Sequence, residues 1–262
     1  MQPASGTSPL PLPGFGVLTA NIHMGFDMLQ RRFVLPRLRE AIRGLGADIV
    51  FLQEVQGHHR DRARRYRHWP DVPHYEYLAD TLWPQFAYGR NAVYPHGHHG
   101  NALLSRLPIV RHANHDVSVA GHENRGLLHC ELELPGHPVH LHAICVHLGL
   151  REAHRRSQVG LLGAVLREQV PADAPVVVAG DFNDWRGAAH RQVLDCGLAE
   201  VFEQRRGRLA RSFPALLPVL PLDRIYVRGL QVHEATTPRG APWTRLSDHL
   251  PLHARLSGEV AA

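Results

Sequence analysis

"PVVVAGDFNDW", residues 175–185, is the stretch on which the fold turns. Val176, Val177 and Val178 make a short apolar β-branched run, the pattern of a buried strand. The run then meets Gly180 and delivers Asp181, Asn183 and Asp184 within four residues, with Phe182 and Trp185 between and after them. Taken alone, this is a turn, because glycine reaches positive φ and Asp and Asn side chains hydrogen-bond nearby backbone. The other reading is a metal or phosphate site at the end of a core strand. The choice depends on whether other strands end in the same way.

They do. "GVLTANI" (16–22) reads as a strand that reaches Asn21, and "ADIVFLQEV" (47–55) as a buried strand that reaches Gln53 and Glu54. "VHLHAICVHLG" (139–149) ends in His147, and "ENRGLL" places Arg125 ahead of the strand "GLLHCELEL" (126–134). "LDRIYVRG" (222–229) opens with Asp223, and "LSDHLPL" sets Asp248 and His249 just before the last strand, "LPLHARL" (250–256). Each has an ordinary alternative: Glu54 as a surface acid, Asp223 paired with Arg224, Asp248 in a turn, His147 as a satisfied core histidine, Arg125 in a surface ion pair. The set is less ordinary. Asn21, Glu54, Asp181, Asn183, Asp223 and Asp248 are hard oxygen donors, which suit Mg²⁺, Mn²⁺ or Ca²⁺. Strand ends on one edge of a rigid scaffold can converge in space.

The helices are fewer. "RRFVLPRLREAIRGLG" (31–46) and "REAHRRSQVGLLGAVLREQV" (151–170) have helical apolar spacing, and "AHRQVLDCGL" (189–198) reads as a short helix. "GNALLSRLPIV" (100–110) reads as one strand. Strands joined partly by short connections and partly by helices argue for an α/β protein with mixed sheets covered by helices. No G-x-G-x-x-G follows the first strand, which disfavours a dinucleotide fold. Nor is there a G-x-x-x-x-G-K-[ST] loop, a G-x-S-x-G elbow, an H-E-x-x-H pair or a C-x-x-C pair.

The chain has 262 residues, a net charge of +5 and 21 histidines. It shows no internal repeat and no dividing linker. The expected organisation is a disordered Pro-rich lead over residues 1–15 and a single catalytic domain over 16–258. The start has neither the basic segment nor the apolar run of a signal peptide, and no apolar run approaches a membrane span. Three widely spaced cysteines, Cys130, Cys145 and Cys196, suit reduced thiols. A cytoplasmic protein is expected, with room for peripheral membrane contact.

In order along the chain, "ANI", "LQEV", "GNALLSR", "RG", "VHLG", "GDFND", "LDRIYV" and "SDHLPL" resemble the endonuclease/exonuclease/phosphatase superfamily, with its DNase I-like fold. The resemblance spans residues 16 to 256; the terminal S-D-H and the G-D-F-N are its most specific pieces. It implies a four-layer α/β/β/α sandwich of two packed mixed β-sheets, with the site at one end. It also implies Mg²⁺-dependent phosphate-ester hydrolysis, with Mn²⁺ or Ca²⁺ as substitutes. On this resemblance Glu54 is a direct metal ligand, Asn21 lies close to the metal, and Asp248 binds a second ion or a bridging water. Asp181 orients the attacking water or takes its proton, and Asn183 fixes the phosphate. His249 stabilises phosphate oxygens or acts as an acid/base partner, oriented by Asp223. His147 is a second phosphate contact or the acid for the leaving oxygen, and Arg125 offers a bidentate fork. Phe182 is expected in the core, with Asp184 as turn and Trp185 as wall. The histidine of "VHLG" resembles the DNase I and sphingomyelinase side of the superfamily.

Substrate is less legible. "GHHRDRARRYRH" (57–68) carries five arginines just after Glu54, which suits a nucleic-acid backbone; it equally suits a solvated surface. "SFPALLPVLPLD" (212–223) is apolar with three prolines, which suits a lipid interface or a buried connection. A nucleic-acid phosphodiester is the favoured substrate, a phospholipid phosphodiester the alternative, and an inactive phosphate-binding module the third reading. Two histidine-rich stretches, with His96, His98 and His99 in one and His140 and His142 in the other, receive no role.

Overall fold

A computed structural model of the chain describes residues 10–260. In chain order the first strands are β1 (Leu10–Asn21), β2 (Ile49–His59), β3 (Gln85–Tyr94) and β4 (Gly97–Ser105). Then come β5 (Ile109–Asp116), β6 (Gly126–Glu133), β7 (His140–His147) and β8 (Val176–Asp181). The last are β9 (Ala199–Glu200), β10 (Asp223–Arg228), β11 (Gln231–Thr236) and β12 (Leu252–Val260). They form two six-stranded sheets, ordered β11-β12-β1-β2-β4-β3 and β5-β6-β7-β8-β10-β9.

The sheets share one logic. Each has a single parallel pair, β1 with β2 and β7 with β8, and every other neighbour is antiparallel. A parallel pair needs a long crossover, usually helical. Helix α1 (Leu35–Gly44) supplies the first, and a longer helix, Glu152–Glu168, the second. Helix α1 starts with a proline in its first turn, where no backbone donor is lost, and buries Leu35, Leu38 and Ile42 on one face. The short helices α2 (Arg60–Arg65) and α3 (His74–Ala79) precede the long one, which is α4; α5 (Ala188–Leu194) and α6 (Val201–Arg206) follow it.

Three apolar clusters mark the layers. The first lies between the sheets and joins Val17, Phe51 and Leu103 to Leu128, Ala143 and Ile225. The second packs α1 and α3 on the outer face of the first sheet, and the third packs α4 and α5 on the outer face of the second. This is the expected α/β/β/α sandwich. Phe182 is fully buried in the third cluster, edge-on to Tyr226, as strand alternation requires.

Several expectations change. The first strand begins at Leu10, not residue 16, because Leu10, Pro11 and Leu12 pair with Val260, Glu259 and Gly258 of β12. Part of the expected lead is therefore sheet; residues 1–9 lie outside the described residues. The run 100–110 is not one strand. It ends in β4 at Ser105, and β5 starts at Ile109 in the other sheet. Residues 31–34 stay outside α1, and α2 takes up the centre of the arginine-rich stretch.

Candidate active site

The carboxyl ends of both parallel pairs meet across the sandwich. Asn21 and Glu54 come from β1 and β2; His147 and Asp181 come from β7 and β8, where they are register partners. Asp223 opens β10 directly opposite Asp181. One hydrogen-bonded amide joins the halves: Asn21 Nδ2 donates to Glu54 Oε1 at 3.3 Å and to Asp181 Oδ2 at 3.2 Å. Asn21 Oδ1 accepts from the His23 backbone N–H at 3.1 Å, which fixes the amide with its nitrogen toward the carboxylates.

Local backbone explains how two of these side chains reach the site. Gln53 and Glu54 together oppose the single residue Asn101 of β4, between the pairs Leu52–Ala102 and Val55–Gly100. This β-bulge turns Gln53 inward, where it bonds Thr19 and Cys145, and leaves Glu54 at φ 55°. Asn183 is also left-handed, at φ 50°, and its backbone N–H donates to Asp181 Oδ1 at 2.9 Å. Non-glycine residues held in this region store strain, and they concentrate at functional sites. Gly180, at φ 151°, lies so close to β7 that a Cβ would stand 1.9 Å from the Val146 carbonyl oxygen.

The electrostatics follow from burial. Asp181 is buried, and desolvation pushes its carboxyl up to about 7, with Asp223 adding to the rise while His249, Asn183 and Asn21 oppose it. His249 Nδ1 lies 2.8 Å from Asp223 Oδ2, and its Nε2 lies 3.9 Å from Asp181 Oδ2. Burial opposes the imidazolium of His249, but Asp223 and Asp181 outweigh it and raise the group to about 10. His147 Nε2 lies 3.6 Å from Asp181 Oδ2. Burial, reinforced by Arg125, His249 and His99, holds His147 well below its ordinary value and therefore neutral. The two histidines thus present opposite charge states to one carboxylate.

Arg125 is half-buried just ahead of β6, with Nε donating to the Leu148 carbonyl at 3.3 Å, and it feels the charges of Glu123, Asp181 and Glu54. Asn183 Nδ2 donates one hydrogen to the same carbonyl at 2.9 Å, which leaves its second for a ligand. Asp248 contacts Ser247 Oγ at 3.3 Å and His23 Nδ1 at 3.7 Å, and its charge acts on His249. Ser247 Oγ in turn donates to the Asn21 carbonyl at 2.7 Å, so this loop braces the end of β1.

The donors fit a hard divalent cation. Glu54, Asp181, Asp223 and Asp248 outnumber the charges of Arg125 and His249, and Asp223 Oδ1 is buried with no hydrogen-bond partner. Asp181, Asp223 and His249 each offer a ligand atom within 4.8 Å of the others. Uncompensated buried charge of this kind is what a bound cation relieves.

Sequence reasoning missed three neighbours and misread one. His99 faces Glu54, Arg125 and His147 electrostatically and keeps a buried, unpartnered Nδ1. His23 lies between Asn21 and Asp248. Asn101 ties the sheets together, with Nδ2 donating to the Gly126 carbonyl at 2.9 Å. Its "GNALLSR" context was the available signal for Asn101. Asp184 is no simple turn residue: it accepts from Arg224 Nη1 at 3.0 Å in a fully buried ion pair and from the backbone of Ala188 and His190 in α5.

Two surfaces flank the site. A cavity of about 390 Å³ is lined by Phe26, Gln30, His59, Asp61, Arg62, Arg65 and Tyr66. Beside His249, whose ring lies 4.9 Å from that of Phe213, the 212–223 segment exposes Leu216, Leu217 and Val219, by 61%, 71% and 48%. Of the two readings of this segment, neither holds throughout: Ser212, Ala215 and Leu222 are buried, and Leu216, Leu217 and Val219 form an apolar rim on the surface.

A model of the endonuclease/exonuclease/phosphatase family matches residues 18–249. The uncharacterized protein YbhP of Escherichia coli (strain K12) is 53% identical over 243 residues, covering 92% of this chain and 96% of that protein. A solved endonuclease/exonuclease/phosphatase structure from Beutenbergia cavernae matches 95% of this chain and 72% of its own, with a TM-score of 0.72 at 20% identity. D. rerio TDP2, solved with a single-strand DNA product, matches 93% of this chain and 98% of its own, with a TM-score of 0.66 at 16% identity. At these identities the structural likeness concerns the fold.

Proposed function

The chain belongs to the endonuclease/exonuclease/phosphatase family, and from that premise we propose that it is a divalent-metal-dependent phosphodiester hydrolase acting on nucleic acid. The observation that carries the reaction class is the meeting of Asn21, Glu54, His147, Asp181, Asp223 and His249 at the carboxyl ends of two parallel strand pairs. Glu54 would hold Mg²⁺, or Mn²⁺ or Ca²⁺ in its place, with the Asn21 amide close to the metal and hydrogen-bonded to the Glu54 carboxylate. The cation supplies charge neutralisation on the phosphate.

The chain's own groups do the rest. Asp181 takes a proton from the attacking water, and the Asn183 N–H and Asn21 amide hold its carboxylate in place. Asp223 keeps the proton on His249 Nδ1, so that the cationic Nε2–H faces the phosphate oxygens. His147, kept neutral, contributes a hydrogen bond; this favours phosphate contact over proton donation to the leaving oxygen. Arg125 and the free hydrogen of Asn183 Nδ2 complete the phosphate clamp. Asp248 braces the end of β1 through Ser247 and His23, and its carboxylate is the group that would take a second ion or a bridging water.

Nucleic acid is favoured by the cavity of about 390 Å³, whose Gln30 meets His23 beside Asn21. Arg62 lies over the Phe26 ring at 4.8 Å and Arg65 over Tyr66 at 5.5 Å, so the rings hold two cations in place for a phosphate backbone. A phospholipid substrate is favoured instead by the exposed Leu216–Leu217 rim, whose adjoining groove also carries Leu29, Arg32, Arg37 and Arg245. Among the described residues no helix is long and apolar enough to cross a membrane. The three free cysteines suit a cytoplasmic setting.

The test is a paired assay with Mg²⁺: plasmid, single-stranded DNA and RNA in one arm, and mixed anionic phospholipid vesicles in the other. Nucleic-acid cleavage that is lost in Arg62→Ala/Arg65→Ala, with lipid intact, supports the reading. Lipid cleavage that is lost in Leu216→Ser/Leu217→Ser, with nucleic acid intact, overturns it in favour of the second.

A further inference from the structure

A second cluster of titratable side chains lies on the outer face of the second sheet, away from the hydrolytic centre at its end. Strand alternation puts His129 and Glu131 of β6 on one face, and β7 places His142 across from Glu131 as its register partner. His129 Nε2 and His142 Nδ1 lie 2.9 Å apart, and both residues are 4% exposed. One ligand atom from each of His129, Glu131 and His142 falls within 4.8 Å of the others.

We infer that His129, Glu131 and His142 form a binding site for a zinc-class transition metal, separate from the hydrolytic centre. The donor chemistry differs between the two places. The hydrolytic centre is rich in carboxylate and amide oxygens and suits a hard cation. The second cluster offers two imidazoles and one carboxylate, a set that takes Zn²⁺ and leaves an open position for water. Ligand nitrogens about 2.0–2.1 Å from a tetrahedral ion stand roughly 3.3 Å from each other, so the observed spacing needs only a small opening. Burial also holds both rings neutral, the form that binds metal.

Three neighbours bear on the site. Arg111 Nη2 pairs with Glu131 Oε1 at 2.5 Å, but Arg111 is a 68% exposed surface side chain, and such a pair yields at little cost. The ring of His115 lies 6.1 Å from that of His129, and its Nε2 is buried without a partner; His140 Nδ1 lies 3.7 Å from Glu131 Oε2, so both offer a further nitrogen. The simpler account of the cluster is a packed histidine pair sharing one hydrogen bond. That account pairs the carboxylate with Arg111 and His140 at the surface and leaves its place beside both buried rings without a role.

The position gives the site a consequence. His129 lies four residues beyond Arg125 and His142 five before His147, roughly 13–17 Å along the strands. A metal here ties together the two strands that present the phosphate-binding side chains.

The test uses the full chain stripped with a chelator and then titrated with Zn²⁺ in excess Mg²⁺, read by competition with a chromophoric chelator and by Tm. We expect one zinc equivalent that persists in His249→Asn, where the hydrolytic centre is impaired. It should be lost in His142→Gln and in Glu131→Gln, the latter a partly exposed change that serves if the former fails to fold. Zinc at about 100-fold above its Kd should raise Tm by roughly 5–10 °C in the wild type and not in those variants. Co²⁺ in place of zinc should give a tetrahedral absorption band that vanishes with the same two changes. Absence of tight zinc, zinc that survives Glu131→Gln undiminished, or zinc lost in His249→Asn would each overturn the inference.

Discussion

At Asp181 a single buried carboxylate faces a neutral imidazole at 3.6 Å, a cationic one at 3.9 Å and an amide at 3.2 Å. Its role as proton acceptor requires the ionised form, so activity should rise as pH climbs through its pKa. Burial puts that value at about 7 without a cation, and a bound cation moves it lower. The predicted acidic limb of kcat/KM at saturating Mg²⁺ therefore lies at or below about pH 7. The alkaline limb follows His249 near 10. A pH–rate profile checks both; an acidic limb above pH 8 contradicts the assignment. This constellation was legible only as a set: each acid or amide alone had an ordinary structural reading, and it was their recurrence at one strand end after another that pointed to a site. Asp184 was not legible. Arg224 follows Asp223 in sequence and so suggests that pair, but strand alternation turns Arg224 to the opposite face, where Asp184 receives it.

At the scale of elements, the close approach of β7 and β8 rests on Gly180. An alanine there would press its Cβ onto a backbone carbonyl and hold φ at 151°. Gly180→Ala is expected to cost about 2–4 kcal/mol and to lower Tm in proportion, as thermal unfolding will show; an unchanged Tm contradicts the packing. Helix α6 offers a pH test. Glu200 accepts from the Glu203 N–H at 2.8 Å, and burial raises its carboxyl to about 7 against an ordinary 4.5. The folded chain therefore keeps this proton longer than the unfolded one, and stability falls as pH rises from about 4.5 to 7. Glu200→Gln keeps the acceptor and removes the titration. Urea unfolding at pH 5 and pH 8 should show a flatter dependence and a gain of roughly 1–3 kcal/mol at pH 8; an unaltered slope refutes it. The buried central strands were readable as apolar runs. The edge strands β3 and β11, and β5 as a separate strand, were not, because few of their side chains face a core and the alternating pattern is too thin.

For the molecule as a whole, the two sheets repeat one plan, and the site lies where the carboxyl ends of their parallel pairs converge. That convergence was inferable from an ordered set of motifs along residues 16 to 256. The His129–Glu131–His142 cluster was not, since it depends on the register of β6 against β7, which no local pattern encodes. The surface exposure of Leu216 and Leu217 was hidden for a similar reason: an apolar Pro-rich segment reads alike whether it packs inward or lies on the rim. The central claim, metal-dependent phosphodiester hydrolysis at this one site, can be tested without knowing the natural substrate. The measurement is turnover of bis(p-nitrophenyl) phosphate by the wild type and by Asp223→Asn, with Mg²⁺ and with chelator. The account predicts Mg²⁺-dependent turnover that the chelator abolishes and that Asp223→Asn lowers by about 10²–10⁴ while the fold is retained. Turnover that is indifferent to Mg²⁺, or undiminished in Asp223→Asn, would contradict it.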